Sequence, residues 1–333
     1  MAIGLQTRPL ATESFYRLVA DIRESLKGVE STIKQREVGF LALLGAYPTA
    51  QGCILEIGAF KGASTIVLSK AAQAGGDDHI WTVDPFTHPC ETNLPEGTCY
   101  PEFLSNLRRA GQDRFVNVFH GLSQDLAKQW REPIRVLWID GDHSYKGTKR
   151  DFELFRPFLS EGAIVAFHDV LALPPGPCRL FANEVLVSRE FGACGISGTI
   201  RWAQYLKRPN AAARHQTLKL RLYSTRSSHV CARALNMRLP RMQRLRYLIL
   251  RNTHRRALKP KEFLSSSVTI DNGRALPSHA GFEIYLVPAW RRRSGAVGFN
   301  GTGKGGVVSD KIGHWNFVIP HDTCKAGMAA NAV

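Results

Sequence analysis

The sequence predicts an α/β fold: an open, mainly parallel sheet with helices on both faces. Three stretches predict it. The first is Ile134 to Ile139 and Ala163 to Phe167, two apolar runs of parallel-strand length with a helical stretch between them. Such a βαβ unit sets its strands parallel through a right-handed crossover. The second is Cys53 to Ile57, an apolar run ending in a glycine turn, Gly58 to Gly62, that opens a helix. The third is His79 to Val83, followed by Asp84 and Pro85.

The remaining elements follow from apolar periodicity, in chain order. Helices are expected at 14–26 and 36–46, a strand at 53–57, a helix at 63–74 and a strand at 79–83. A loop at 85–100, with Pro89, Pro95, Cys90 and Cys99, is too long for a plain connector; it reads as a substrate lid or as disorder. Cys90, Cys99 and His88 follow no standard metal spacing. Next come helix 101–110, strand 115–119, helix 123–130, strand 134–139, helix 147–159 and strand 163–167. Residues 180–206 add a helix and a final antiparallel edge, with a hairpin turn in Gly195 to Trp202. Farther on, Phe282 to Val287 reads as one strand, and Gly295 to Val308 as a glycine-rich mobile stretch.

Open parallel sheets bind ligands at the carboxyl ends of their strands. Asp140, Asp142 and His143 follow one predicted strand, and His168 and Asp169 follow the next, so all five are aimed at one crevice. Tight loops holding Gly141 and Tyr145 could place such groups by accident. Five titratable side chains at two adjacent strand ends are hard to explain as core.

The Gly58–Gly62 spacing is neither a dinucleotide fingerprint nor a P-loop. Its glycines let backbone approach a ligand, and the helix start offers unpaired N–H donors. Glu56 stands just before the turn, where a carboxylate suits a cationic ligand and would repel a pyrophosphate. Asp84, at the end of the second strand, suits the diol of a ribose; the plainer reading is a turn-forming Asp-Pro.

Taken in order, these residues resemble the class I S-adenosylmethionine (SAM)-dependent methyltransferases. The likeness is greatest to the family-24 type, which includes macrocin and aminocoumarin-sugar O-methyltransferases. It spans roughly residues 35 to 208 and is carried by Leu55 to Ser64, Val83-Asp84, Gly121 and Ser123, Ile139 to Tyr145, and Gly162 to Asp169. The resemblance implies a Rossmann-like, seven-stranded methyltransferase fold with SAM as cofactor. Glu56, Gly58, Gly62 and Ser64 would serve the turn and the methionine end, Asp84 the ribose hydroxyls, and Ser123 the adenine rim. Asp140 would border the cofactor and, with His168 and Asp169, match positions that hold a divalent cation, magnesium or manganese. Asp142, or else His143, matches the general base. Relatives commonly carry a carboxylate where this chain has His168. An imidazole there tilts the site from magnesium toward manganese, iron or zinc. In relatives the N-terminal helices cover the cofactor or build a dimer contact.

The chemistry also fits the residues without the likeness. Methyl transfer from a sulfonium to oxygen is an in-line displacement that needs a positioned, deprotonated nucleophile. A cation lowers the pKa of a bound hydroxyl and a neighbouring base takes its proton. A metal-free version, with Asp142 or His143 acting alone, uses the same residues. The expected acceptor is a small-molecule hydroxyl. RNA methylation, a hydroxylase-like activity and a non-catalytic binding role are the competing classes.

Charge divides the chain. Residues 1–200 carry 20 Lys and Arg against 23 Asp and Glu, while residues 201–333 carry 24 against 5. Between Glu190 and Glu262 there is no carboxylate, and Arg238 to Arg251 reads as a basic amphipathic helix. Such a helix suits nucleic acid, an anionic membrane surface or packing against the main domain. The expected organisation is a methyltransferase domain at 1–208, a basic segment at 209–262 and an extension at 263–333. Seven cysteines show no Cys-x-x-Cys pair. Without the charged, apolar and small-residue order of a signal peptide near Met1, the expected address is cytoplasmic.

Overall fold

The computed structural model describes residues 10–77, 79–87, 98–169, 176–209 and 263, with the backbone of 270–271 and 274–275. Two helices, α1 (Thr12–Ser25) and α2 (Gln35–Ala46), precede the first strand. The chain then alternates: β1 (Cys53–Ile57), α3 (Ala63–Ala74), β2 (Ile80–Asp84), α4 (Tyr100–Arg109), β3 (Val116–His120) and α5 (Ser123–Gln129). It continues through β4 (Ile134–Ile139), α6 (Tyr145–Phe155) and β5 (Leu159–Phe167). A short helix, α7 (Gly176–Leu180), runs into a π-helical turn, Phe181–Val185, and a hairpin of β6 (Phe191–Ser197) and β7 (Ile200–Tyr205) follows.

The seven strands form one sheet in the order β3-β2-β1-β4-β5-β7-β6. The first five are parallel, and the sequence of each predicts why. Alternate residues of the central strands feed two different cores, so most of their positions are apolar. In β4, Val136 and Trp138 join the core under α1, α2, α3 and α4, while Leu137 and Ile139 join the one under α5, α6 and α7. A sheet covered on both faces gives this near-continuous apolar run. The helices read equally directly. α1 buries Phe15, Val19 and Ile22, one stripe of a helical period, and α2 is buried from Glu37 to Ala46.

The hairpin forms the expected antiparallel edge: β7 lies between β5 and β6, pairing antiparallel with both, and β6 forms the rim. β5 starts four residues early. Leu159 pairs with Ile134, and an irregularity in the ladder absorbs Ser160, Glu161 and Gly162, a polar stretch that reads as loop.

Phe263 is fully buried and packs on Trp202 of β7, with ring centroids 5.8 Å apart. The main core therefore takes in a residue beyond the expected boundary at 208. Phe263→Ala in the full chain is expected to cost about 3 kcal/mol, read as a lowered melting temperature. An unchanged melt would show that the contact is idle. The basic stretch 238–251, the predicted strand 282–287 and the loop 88–97 lie outside the described residues.

Candidate active site

Four backbone hydrogen bonds carry the parallel ladder one step past the strand ends. Gly58 N donates to Val83 O at 3.0 Å, Asp140 N to Ile57 O at 2.8 Å, His168 N to Ile139 O at 3.0 Å, and Gly121 N to Asp84 O at 3.0 Å. The side chains after β1, β2, β4 and β5 thus gather at one rim. Gly58 has φ +90°, and a β-carbon there would lie 2.5 Å from the carbonyl oxygen of Asp140. Only glycine lets the turn lie so close to the acid.

The turn itself is clamped by Asp84. One carboxylate oxygen accepts from Ala59 N at 2.7 Å and Phe60 N at 2.9 Å, the other from Phe86 N at 2.5 Å. Gly62, at φ +87°, caps α3 in the left-handed region. Glu56 is fully buried, and its Oε2 accepts from Thr65 Oγ1 at 2.5 Å. Burial pushes its carboxyl up to about 7 against the opposing hydrogen bonds of Ser64, Thr65 and Thr82. Its Oε1 has no hydrogen-bond partner. An orphaned buried carboxylate oxygen next to a glycine turn fits a cationic group. Ser123, at the start of α5, donates to the buried Asp151 at 2.6 Å.

Beside this turn stands a cluster of acids and imidazoles. Asp140, His143 and Asp169 place one ligand atom each within 4.8 Å of one another, the group among the described residues that could hold a metal ion. Asp140 Oδ1 lies 3.3 Å from His143 Nε2 and 3.0 Å from His168 Nδ1. Burial pushes the Asp140 carboxyl up, but the charges and hydrogen bonds of the two imidazoles outweigh it and bring it to about 2. His143 is raised in turn: burial opposes its charge, and Asp140 and Asp169 favour it more strongly. Asp169 holds φ at +48°, a strained conformation for a residue with a β-carbon.

The sequence directs Asp140, Asp142, His143, His168 and Asp169 to one crevice, and the structure gives each a distinct place there. His168 lies against the group of three, with Nδ1 3.0 Å from Asp140 Oδ1 and 3.7 Å from Asp169 Oδ2. It is fully buried beneath it, with Nδ1 on Asp140 and Nε2 3.5 Å from Glu37 Oε2, an ion-pair distance without hydrogen-bond alignment. His143 brings a second imidazole to the same acids. Asp142, expected beside the ligands, is exposed at the start of α6; its Oδ1 accepts from Ser144 N at 2.8 Å and its Oδ2 lies over Gly147. An acid two residues before a helix cap makes this local turn readily.

Glu37 was missed altogether. It is fully buried in α2; its Oε2 accepts from Lys34 N at 2.8 Å, and its Oε1 from Thr199 N at 2.7 Å and Thr199 Oγ1 at 2.9 Å. Burial opposes its charge, but His168 and these donors win and hold its carboxyl at about 2. His168, penalised by burial, is raised well above its usual range by Asp140, Asp169 and Glu37. The available signal was a carboxylate followed by nine residues with no charge, Val38 to Ala46.

Residues 55–170 match a family model, Methyltransf_24, described as a methyltransferase domain. Among solved structures, the chain is similar to an O-methyltransferase from Bacillus cereus in complex with SAH, at 21% identity, 59% of this chain, 92% of that one and a TM-score of 0.40. It is similar also to the O-methyltransferase NovP, at 14% identity over 58% and 98% with a TM-score of 0.46. The same holds for TomG from Streptomyces achromogenes, an O-methyltransferase involved in tomaymycin synthesis, in complex with SAM: 19% identity over 61% and 92%, TM-score 0.41.

Proposed function

We propose that this chain, whose residues 55–170 match a methyltransferase-domain model, uses SAM to methylate the hydroxyl of a small molecule with the help of a divalent cation. The observation that supports this reading is the juxtaposition of two features at one rim. The turn clamped by Asp84, with the orphaned oxygen of Glu56, borders Asp140, His143 and Asp169.

SAM supplies the electrophilic methyl group, on a sulfonium. The residues do the rest. Glu56 meets the positive charge, and Asp84 holds the backbone of the turn while its remaining lone pairs face the ribose. Two carboxylates and an imidazole would hold manganese, iron or zinc more readily than magnesium. Bound there, the cation would lower the pKa of the acceptor hydroxyl. His143 has one of two jobs: ligand when a cation is held, proton acceptor when none is. With a proton on Nε2 facing Asp140, its Nδ1 keeps a lone pair for either. Asp142 is less well placed as base, since it sits over the first turn of α6. Ser123 is proposed to border the adenine through the buried Asp151 it holds.

Isothermal titration tests the cofactor. S-adenosylhomocysteine is expected to bind and NAD not to, and Asp84→Ala should weaken binding at least about tenfold through loss of charge-assisted bonds. Binding of NAD alone would sink the reading. An acceptor bound through the basic stretch 238–251 would instead show RNA affinity that falls steeply with salt.

A further inference from the structure

We propose that Glu37, on the helix before the first strand, is a positioning residue for the candidate site: acting through His168, it fixes the carboxylate of Asp140 in the pose in which Asp140, His143 and Asp169 face one another. The inference rests on the reading of those three residues as the group that holds a cation.

The argument is geometric. His168 lies fully buried among three carboxylates, with Nδ1 3.0 Å from Asp140 Oδ1 and 3.7 Å from Asp169 Oδ2, and Nε2 3.5 Å from Glu37 Oε2. An imidazole held at one nitrogen alone could tilt about its side-chain torsion. A carboxylate at ion-pair distance from Nε2 favours the orientation in which Nδ1 faces Asp140 from beneath. Asp140 Oδ1 meets His143 Nε2 at 3.3 Å as well, so a single oxygen is located by two rings. Second partners of this kind orient metal-binding side chains.

Glu37 is in turn held more firmly than a helix cap needs. Capping α2 takes one oxygen, which accepts from Lys34 N. The other oxygen is taken by both the backbone and the hydroxyl of Thr199, in the β6–β7 turn. Gly198 belongs to the same turn at φ +65°, and a β-carbon there would collide with Glu37 Oε1. The turn is moulded around the carboxylate. Two elements remote in sequence, α2 and the β6–β7 hairpin, thereby converge on the orientation of a strand-end acid on β4.

A simple tie between α2 and the hairpin would stabilise the fold without affecting the rim, and this difference decides the test. Glu37→Gln keeps the shape. In the full chain without cofactor, Mn²⁺ binding is followed by electron paramagnetic resonance and S-adenosylhomocysteine binding by calorimetry. We expect Mn²⁺ affinity to fall about 10–100-fold with an altered line shape of the bound ion, while S-adenosylhomocysteine affinity is retained. Unchanged Mn²⁺ affinity and line shape would overturn the proposal. If Glu37→Gln does not fold, Thr199→Val removes one donor to the same carboxylate; weaker Mn²⁺ binding supports the relay and wild-type binding overturns it. Wild-type protein that binds S-adenosylhomocysteine but no Mn²⁺ overturns the cation reading and the inference with it, an outcome visible before any variant is made.

Discussion

Exchange of Asp140 for alanine is expected to cost both turnover and fold. Methyl transfer, followed as released S-adenosylhomocysteine, should fall by about 10²–10⁴-fold, the usual toll of removing the group that prepares the nucleophile. The fold suffers because His168 stays buried and loses its nearest carboxylate, keeping only the longer contacts with Glu37 and Asp169. Breaking a buried pair from one side costs roughly 3–5 kcal/mol, or about 10 °C in melting temperature. Asp140→Asn separates the two effects: it keeps the volume and one acceptor oxygen, so the melt should recover in part while turnover does not. Full turnover in Asp140→Ala would remove this residue from the chemistry.

Glu56→Gln is expected to do the opposite, strengthening the fold and weakening cofactor binding. Its carboxyl is raised from 4.5 to about 7 by burial, so the folded state binds the proton more tightly than the unfolded one. Folding stability linked to Glu56 is therefore full below pH 4.5 and is lost as pH rises toward 7. The loss comes to about 3 kcal/mol above that range. Glutamine carries no such cost, so the variant should gain roughly that amount at pH 8 and nothing at pH 4. A melt at pH 8 equal to wild type would refute the assignment.

The acid–imidazole cluster shapes the other limb. Glu37 and Asp140 are both depressed to about 2, so their contribution is present above 4.5 and 3.8 and fades as pH falls toward 2. His168 is raised, so its contribution is complete below 6.5 and fades as pH climbs through its higher folded value. Together these groups place the stability maximum between about pH 4.5 and 6.5. Thermal melts across pH 3 to 9 check this. A maximum above pH 8 would contradict the sign for His168, and a maximum below pH 3 the signs for Glu37 and Asp140.

The fold was legible wherever one residue's surroundings followed from its neighbours. β1 and β4 run between identical bounds in sequence and structure, because a strand buried on both faces is apolar at most positions, with Glu56 and Arg135 the exceptions here. Gly162 blurred the start of β5, and no local pattern could tell that β7 inserts beside β5, since that choice belongs to the sheet and not the hairpin. The site divides in the same way. Asp140, His143 and Asp169 were visible as polar groups at the ends of apolar runs. The contact of His168 with Glu37, more than a hundred residues upstream, was not, because it forms only when α2 packs against the sheet. Glu37 itself reads as an ordinary capping glutamate three residues into a helix.

The burial of Phe263 sets an order of events during synthesis. The seven strands are complete once Tyr205 has been made, yet the face of Trp202 that Phe263 covers must wait for about sixty more residues, roughly 3 to 12 s at ordinary elongation rates. Through that interval the newborn sheet presents an unfilled apolar socket to the cell, while a strongly cationic stretch emerges from the ribosome beside it. A truncation after 208 would make that transient state permanent. It would also leave the socket open as a surface for self-association.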